Sequence, residues 1–383
     1  GGLPDATVDS GTLATDSVTA VKIPASLEST FVSGRKNLII NGDFQVAQRG
    51  TSSTSTGYQT VDRWQMGANV GVTQSQLALT SGAAYDAGFR SAYKLTNTGA
   101  IDNTATQYVS CFHYIEAQDL AKSGWTYTSS SSSITISFWI KSSVAGTYYV
   151  NPMSQDGTKK VYPQSFSLDA NTWTKVEKTY VGVSTLAFAN DTGRGMQLHI
   201  SPFYGTDFTN SSVSTSAWSN YGSATRFPDY AQNWGASTGA TWEITGVQLE
   251  VGSIATDFEH RSYGEELALC ERYYQQSYLT GVAAGTATVN GSQYIGGSVG
   301  GASTSYIAGG HTLRGQMRAN PTLVVYDIAG NAGKVRRDLF GTNNSDNSTA
   351  AIETNNNHSF LLYSSGSHNA SILIFQFTAA AEL

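Results

Sequence analysis

The sequence predicts an all-β chain: a jelly-roll-like β-sandwich, then a short helix, then a second and smaller C-terminal β-sandwich. Three observations point there. Segments of alternating apolar and polar residues recur, Ile134-Thr135-Ile136-Ser137-Phe138-Trp139-Ile140 being the clearest, and such alternation belongs to strands with one wet face. Clusters of Gly, Ser and Thr separate these segments at spacings too short for strand–helix–strand crossovers. A single stretch carries a convincing helical start, Ser262 followed three residues later by Glu265.

In chain order, residues 1–36 read as an N-terminal tether or trimerising segment. Asp9-Ser10-Gly11-Thr12 is echoed by Asp16-Ser17-Val18-Thr19, and apolar residues are sparse (Leu13, Val18, Val21, Ile23, Leu27, Phe31). So few cannot bury a core alone; the segment either orders on copies of itself or on the next domain, or acts as a linker. Residues 37–258 read as one sandwich. Thr147-Tyr148-Tyr149-Val150, after Ala145-Gly146, is expected to form a hairpin with Ile134–Ile140. In 173–181, Trp173 and Val176 fall on opposite parities, which predicts a bulge or a register change. Met196–Ile200 and Thr241–Leu249 complete the strand set.

Residues 259–278 are expected to form the connecting helix, with Ser262 as N-cap and Glu265 and Glu266 favourably placed on the helix dipole. Tyr263, Leu267, Cys270 and Tyr274 follow a four–three–four spacing, one heptad seam. Either the helix packs on its own domain or three copies meet there on a threefold axis. Residues 279–383 return to β, with Thr322–Tyr326 as a strand. A late hairpin is expected between Ser359–Tyr363 and Ala370–Thr378 through Ser364-Ser365-Gly366.

Composition narrows the function. At 383 residues the chain should hold two or more domains, and 40% hydrophobic residues suffice for real cores. Charged residues are only 13%, about half the usual share for a soluble domain. A net charge of −6 argues against nucleic acid and against an electrostatic grip on anionic membranes, which leaves a neutral glycan or a protein surface. No apolar run is long enough to span a bilayer. The polar start without Met shows no signal peptide, and the chain is read as a fragment or a processed product. Cys111 and Cys270 are expected to be buried free thiols.

The stretch from Pro202 to Trp242 is rich in rings among Ser, Asn, Gly and Asp. Long loops are usually functional or disordered. Trp218, Tyr221, Tyr230 and Trp234 are therefore glycan-binding candidates, since sugar C–H faces stack on indole and phenol rings. The competing reading is that these rings pin the loop to the sandwich. The Asn-rich C-terminal loops (Asn331, Asn343, Asn344, Asn347, Asn355, Asn356, Asn357, Asn369) offer a second polar surface.

Asn37-Leu38-Ile39-Ile40-Asn41-Gly42-Asp43-Phe44 and Val61-Asp62-Arg63-Trp64 resemble the opening of sandwich domains in bacteriophage and prophage tail-fibre proteins. The passage from Ile244 to Glu259, running on through Arg261 to Tyr274, is similar to a longer stretch of the same proteins, as is the ending Phe377–Leu383. The resemblance covers most of residues 37–383. It implies a virion tail fibre: a homotrimer, joined to other phage tail proteins, whose first sandwich is similar to carbohydrate-binding modules. The C-terminal sandwich would be the distal tip, and the partner a bacterial surface glycan or protein. Such modules often hold calcium near both motifs, where this chain offers Asp43 and Glu250 but Gln45 and Gln248 in place of further carboxylates.

No chemistry-bearing constellation emerges beside this. Glycoside hydrolysis needs two facing carboxyl groups. Glu265-Glu266 is explained by the helix dipole, and Asp62, Asp86, Asp119, Asp169 and Asp191 stand singly. The six histidines show neither HExxH nor a close pair. The expected function is non-catalytic, multivalent adsorption to the host surface. The alternatives are a polysaccharide-depolymerase tailspike and a purely structural tail subunit.

Overall fold

The computed structural model describes residues 36–99, 104–296, 299–301, 304–338, 345–366 and 372–383. The tether expected over residues 1–36 lies, except for Lys36, outside them.

The all-β fold is observed. Two antiparallel sheets face each other over the first large core. The first sheet runs Ser52–Ser53, Val72–Ala78, Ser91–Asn97, Thr241–Val251, Ser133–Ser142, Thr174–Val181. The second is built on Tyr108–Glu116, Arg194–Ser201 and Gly146–Ser154, with Trp64–Ala68 and Gln164–Leu168 among the strands that extend it. Alternation explains the packing. Ile134, Ile136, Phe138 and Ile140 are fully buried against Met196, Leu198 and Ile200 of the facing sheet, and the residues between them point outward.

Two expectations fail here. Gly146–Ser154 does not form a hairpin with Ser133–Ser142; it lies in the other sheet, paired with Arg194–Ser201 and Gln164–Leu168. Both strands bury a face in the same core from opposite sides, so Gly146 (φ 146°) starts a strand of the facing sheet rather than a ladder with its predecessor. Nor is there a bulge in Thr174–Val181, which pairs with Ile140–Ser133 without a shift. Trp173 breaks the parity because it belongs to the outer face. The register shift falls instead between Thr245 and Gln248, at Gly246, whose φ is +63°.

The helix is shorter than expected, Tyr263–Glu271. Its capping box forms as predicted: the Ser262 hydroxyl accepts from the Glu265 amide, and the Glu265 carboxylate accepts from the Ser262 amide. Tyr274 is not helical. It begins the strand Tyr274–Gln276, which pairs with Ala380–Thr378. Chain reversal after Arg272 lets Tyr273 and Tyr274 bury their rings among partners the helical spacing could not reveal. Substituting Ser262 by alanine should lower the stability of this turn by about 1 kcal/mol, read as a small fall in thermal midpoint.

The C-terminal sheets enclose their own core of Ile307, Val325, Val335, Phe360, Leu362, Leu373 and Phe375. Ile372–Ala380 is the central strand. Along one edge it pairs with Tyr274–Gln276 and then Gln293–Gly296; along the other it pairs with Thr322–Tyr326 and then Lys334–Asp338. The expected late hairpin does not exist. Ser359–Gly366 belongs to the facing sheet, between Thr304–Thr312 and Ala351–Asn355. Again two successive apolar strands cover one core from its two sides.

Candidate functional site

The motifs at 37–44, 61–64, 244–274 and 377–383 converge. Asn37 bridges the Leu249 amide and the Val247 carbonyl, and Asn41 bonds Val46 at both its amide and its carbonyl. Gly42 is required, since a Cβ there would fall 2.1 Å from the Val247 carbonyl oxygen. Arg63 ion-pairs with Glu382 and lies 3.4 Å over the Tyr273 ring; Arg49 bridges Asp62 and Glu382 and lies 3.5 Å over Tyr274. Burial works against the Arg63 charge, yet Glu382 holds its pKa above the ordinary value. Arg272 grips Glu116 at 2.8 and 2.9 Å, and the Tyr273 hydroxyl donates to the same carboxylate. These groups are mostly enclosed, so this region is a joint between the sandwiches rather than a place for a ligand.

The sequence candidates resolve differently. Trp234 is fully buried in the first core and its indole N–H donates to the Thr241 carbonyl, so it cannot stack on a sugar. Tyr230 is half-buried among Tyr149, Phe203, Tyr204 and Phe227, its hydroxyl directed to Ser201. Trp218 packs on Tyr162 and donates to Val181. The Tyr221 hydroxyl accepts from Arg226. Phe208, Phe227 and Tyr230 of the 202–242 segment thus pack on Tyr149 and Tyr204 of the second sheet, whereas Trp234 enters the core between the sheets.

Tyr263, Leu267, Cys270 and Tyr274 do not form one seam: Tyr263 is exposed, whereas Cys270 and Tyr274 are buried within the chain. Cys270 packs beside Ile40, Val46, Phe112, Tyr114, Tyr273 and Leu383. Both thiols are free and buried, and burial pushes them well above the usual range.

Asp43 and Glu250 sit at opposite ends of the short pairing in which Leu38 bonds Leu249 and Val247 bonds Gly42. Glu250 is occupied by Thr256 and Gln248. Burial, with Glu266 alongside, pushes Asp43 up to about 6. Glu266 itself accepts from the Asn41 amide and pairs with Arg261. Among the described residues no group of three or more His, Cys, Asp or Glu could hold a metal ion. No described helix is long and apolar enough to cross a membrane. Of the Asn-rich loops, Asn331 bonds Asp327, Asn355 bonds the Pro321 carbonyl and Asn356 caps its own turn. The side chains of Asn343, Asn344, Asn347 and Asn369 lie outside the described residues.

A cleft of about 320 Å³ opens instead on the outer face of the first sheet. Trp139 forms its floor, with Lys175 directly opposite on the neighbouring strand. Phe89, Phe258 and His260 form one wall, with ring centroids 5.0–5.4 Å apart, and Asp257 lies on the rim. The Gly246 bulge makes the wall, because a Cβ there would sit 2.4 Å from the Phe89 ring. Beside the cleft, Glu243 lies between Lys94 and Lys141, at 3.5 and 2.6 Å, and Lys141 approaches the Trp173 ring. The volume is at the small end of ligand sites, about 300–1,000 Å³. Half-buried rings with a cation, a carboxylate and an imidazole at the rim can stack a ring-shaped ligand and hydrogen-bond its edge. Trp139 was visible as the outward residue of the strongest strand, but Phe89, Phe258 and His260 come from loops whose convergence no local pattern announces.

No protein-family profile matches the sequence, and neither does any curated protein sequence. Solved structures similar to part of the chain include the enzymatically active domain of tailspike protein 4 from bacteriophage CBA120. That match has 10% identity and a TM-score of 0.31, over 56% of this chain and 21% of that one, so it spans about a fifth of the tailspike chain. A family 11 carbohydrate-binding module from Clostridium thermocellum, solved with a mixed-linked tetrasaccharide, matches 55% of this chain and 99% of its own, at 12% identity and a TM-score of 0.26. The N-terminal cellulose-binding domain of Cellulomonas fimi β-1,4-glucanase C gives 11%, 55%, 99% and 0.28.

Proposed function

We propose that this chain is a virion tail-fibre subunit that holds a bacterial surface glycan in the Trp139 cleft without cleaving it. The carrying observation is the cleft itself: the half-buried rings of Trp139 and Phe258 at the outer surface of a sheet, backed by buried Phe89 and ringed by a few polar groups. A pyranose presents an apolar C–H face to such rings, and its hydroxyls reach Lys175, Asp257 and His260. The tail-fibre role is supported by the sequence passages resembling those proteins, and it carries the homotrimer and the other tail proteins as partners. Multivalency then makes weak sites sufficient. The non-catalytic reading is supported by the lining, in which Asp257 is the carboxyl group among the described residues; glycoside cleavage uses two.

The test is binding of the full chain to purified host polysaccharide, followed by calorimetry. Trp139→Ala should weaken affinity at least tenfold, about 1.4 kcal/mol, while Trp139→Phe recovers most of it. Unchanged affinity in the alanine variant removes the cleft from the reading. Release of reducing ends by the wild-type chain replaces it with a depolymerase, and a chain that stays single in solution defeats the trimeric fibre.

A further inference from the structure

The arginines enclosed at the joint each hold a carboxylate: Arg49 and Arg63 hold Glu382, Arg261 holds Glu266, and Arg272 holds Glu116. Arg226 is half-buried where the 202–242 segment packs on the second sheet, and among the described residues it has no ion pair. Its guanidinium lies 5.3, 5.7 and 5.6 Å from the ring centroids of Tyr204, Phe208 and Tyr221. One amino group donates to the Tyr221 hydroxyl at 2.9 Å, while the buried Nε meets no acceptor among the described residues. Burial opposes the charge, yet Tyr204 and Tyr221 hold the pKa above its ordinary value. The rings do not stand in for a counter-ion. Arg63 and Arg49 stack closer, at 3.4 and 3.5 Å, and still take carboxylates.

A second unpaired cation stands nearby. Arg194 is exposed and lies 4.4 Å over the Tyr114 ring. Glu116 is opposite it in register but is taken by Arg272 and Tyr273. Burial raises the Tyr114 pKa, and Arg194 and Arg226 both act to lower it, so the two guanidinium groups have this phenol as a common neighbour. His199 adds no charge, because burial and then Arg226 keep its ring unprotonated at neutral pH. Gathering like charges around neutral groups costs stability, more so where one of them is partly enclosed. Acidic residues to pair them were at hand, since they outnumber Lys and Arg by 28 to 22. A guanidinium fork matches the paired oxygens of a carboxylate or a phosphate group.

We propose that Arg226 and Arg194, gathered about Tyr114 and Tyr221, form a site for the oxyanion of an acidic glycan, a carboxylate or a phosphate group. The site lies on the second sheet, whereas the Trp139 cleft opens on the first. Choosing a glycan as the carrier rests on the proposed function; the demand for an oxyanion does not.

Calorimetric titration of the full chain tests this at low salt with three probes: a galacturonic acid tetrasaccharide, mannose 6-phosphate and a neutral glucose tetrasaccharide. At least one acidic probe should bind, and which of the two does so separates carboxylate from phosphate. Arg226→Gln should weaken that binding by about tenfold or more. Arg194→Gln, at an exposed position with little leverage on folding, should weaken it several-fold. Arg226→Lys, which keeps the charge and loses the fork, should fall between Arg226→Gln and wild type. Added salt should weaken the acidic probe, since the site is partly open to solvent. Trp139→Ala should leave the acidic probe unaffected, whatever it does to the neutral one. The proposal is overturned if neither acidic probe binds, or if either glutamine variant binds with wild-type affinity. It is overturned equally if Trp139→Ala abolishes acidic-probe binding, which would place the oxyanion in the first cleft.

Discussion

Glu382→Ala is expected to destabilise the chain by about 3–5 kcal/mol, the range for removing one partner of a buried ion pair. The Arg63 side chain is 1% exposed and that of Glu382 11%. With the carboxylate gone, Arg63 keeps its bond to the Tyr114 carbonyl and its stacking on Tyr273, but its charge is left enclosed without an opposite charge at contact. Arg49 keeps Asp62 at 3.5 Å, so it suffers less. Glu382→Gln, which retains an acceptor, should lose less than the alanine variant. Replacing the pair together, Arg63→Met with Glu382→Leu, should recover much of the loss, because well-packed apolar substitutes often equal a buried pair. Denaturant midpoints of the four proteins check this. A Glu382→Ala unfolding free energy within about 1 kcal/mol of wild type would mean that the joint is held by its hydrogen bonds alone, such as those from Arg318 to the carbonyls of Ala381 and Glu382.

Gly246→Val should both destabilise the first sandwich and empty its cleft. A left-handed conformation costs a residue with a Cβ about 1–2 kcal/mol, and overpacking against an enclosed ring typically adds about 1–3 kcal/mol. The ring in question is Phe89, which packs on Phe258 and His260. Pushing it away displaces the wall beside Trp139. Glycan affinity should therefore fall even at temperatures where the variant remains folded, and the crystal structure of the variant should show Phe89 moved. Wild-type stability together with wild-type affinity would show that neither the bulge nor the wall matters.

Much of the architecture was legible. Period-two alternation located Ser133–Ser142, Arg194–Ser201 and Thr241–Val251, because a strand half buried in a core must alternate. The capping box located the helix start. Partnership was not legible. Ser133–Ser142 and Gly146–Ser154, and again Ser359–Gly366 and Ile372–Ala380, read as hairpins because they are neighbours in sequence; an apolar face does not say from which side it enters the core. Within the aromatic run after Pro202, Trp234 misled for a related reason. Composition reports that rings are present, and burial decides whether they meet solvent: Trp234 meets none, whereas Trp139, sited by plain alternation, does. The passages resembling tail-fibre proteins converge on the joint of Arg63, Tyr273 and Glu382, so what they record is how the parts are held together.

The strand Ile372–Ala380 has a consequence for biosynthesis. Its partners begin at Tyr274, about a hundred residues earlier, and they rely on it for their ladder bonds along both edges. On the ribosome, Tyr274–Gln276, Gln293–Gly296 and Thr322–Tyr326 must wait, with pairing groups open, until residues 372–380 emerge. Such late closure is slow and leaves sticky intermediates. The first sandwich closes much earlier, when Thr241–Val251 slots between its neighbours, and its finished surface, with Gln48 awaiting Tyr274 and Gln276, is the template on which the laggard half can condense.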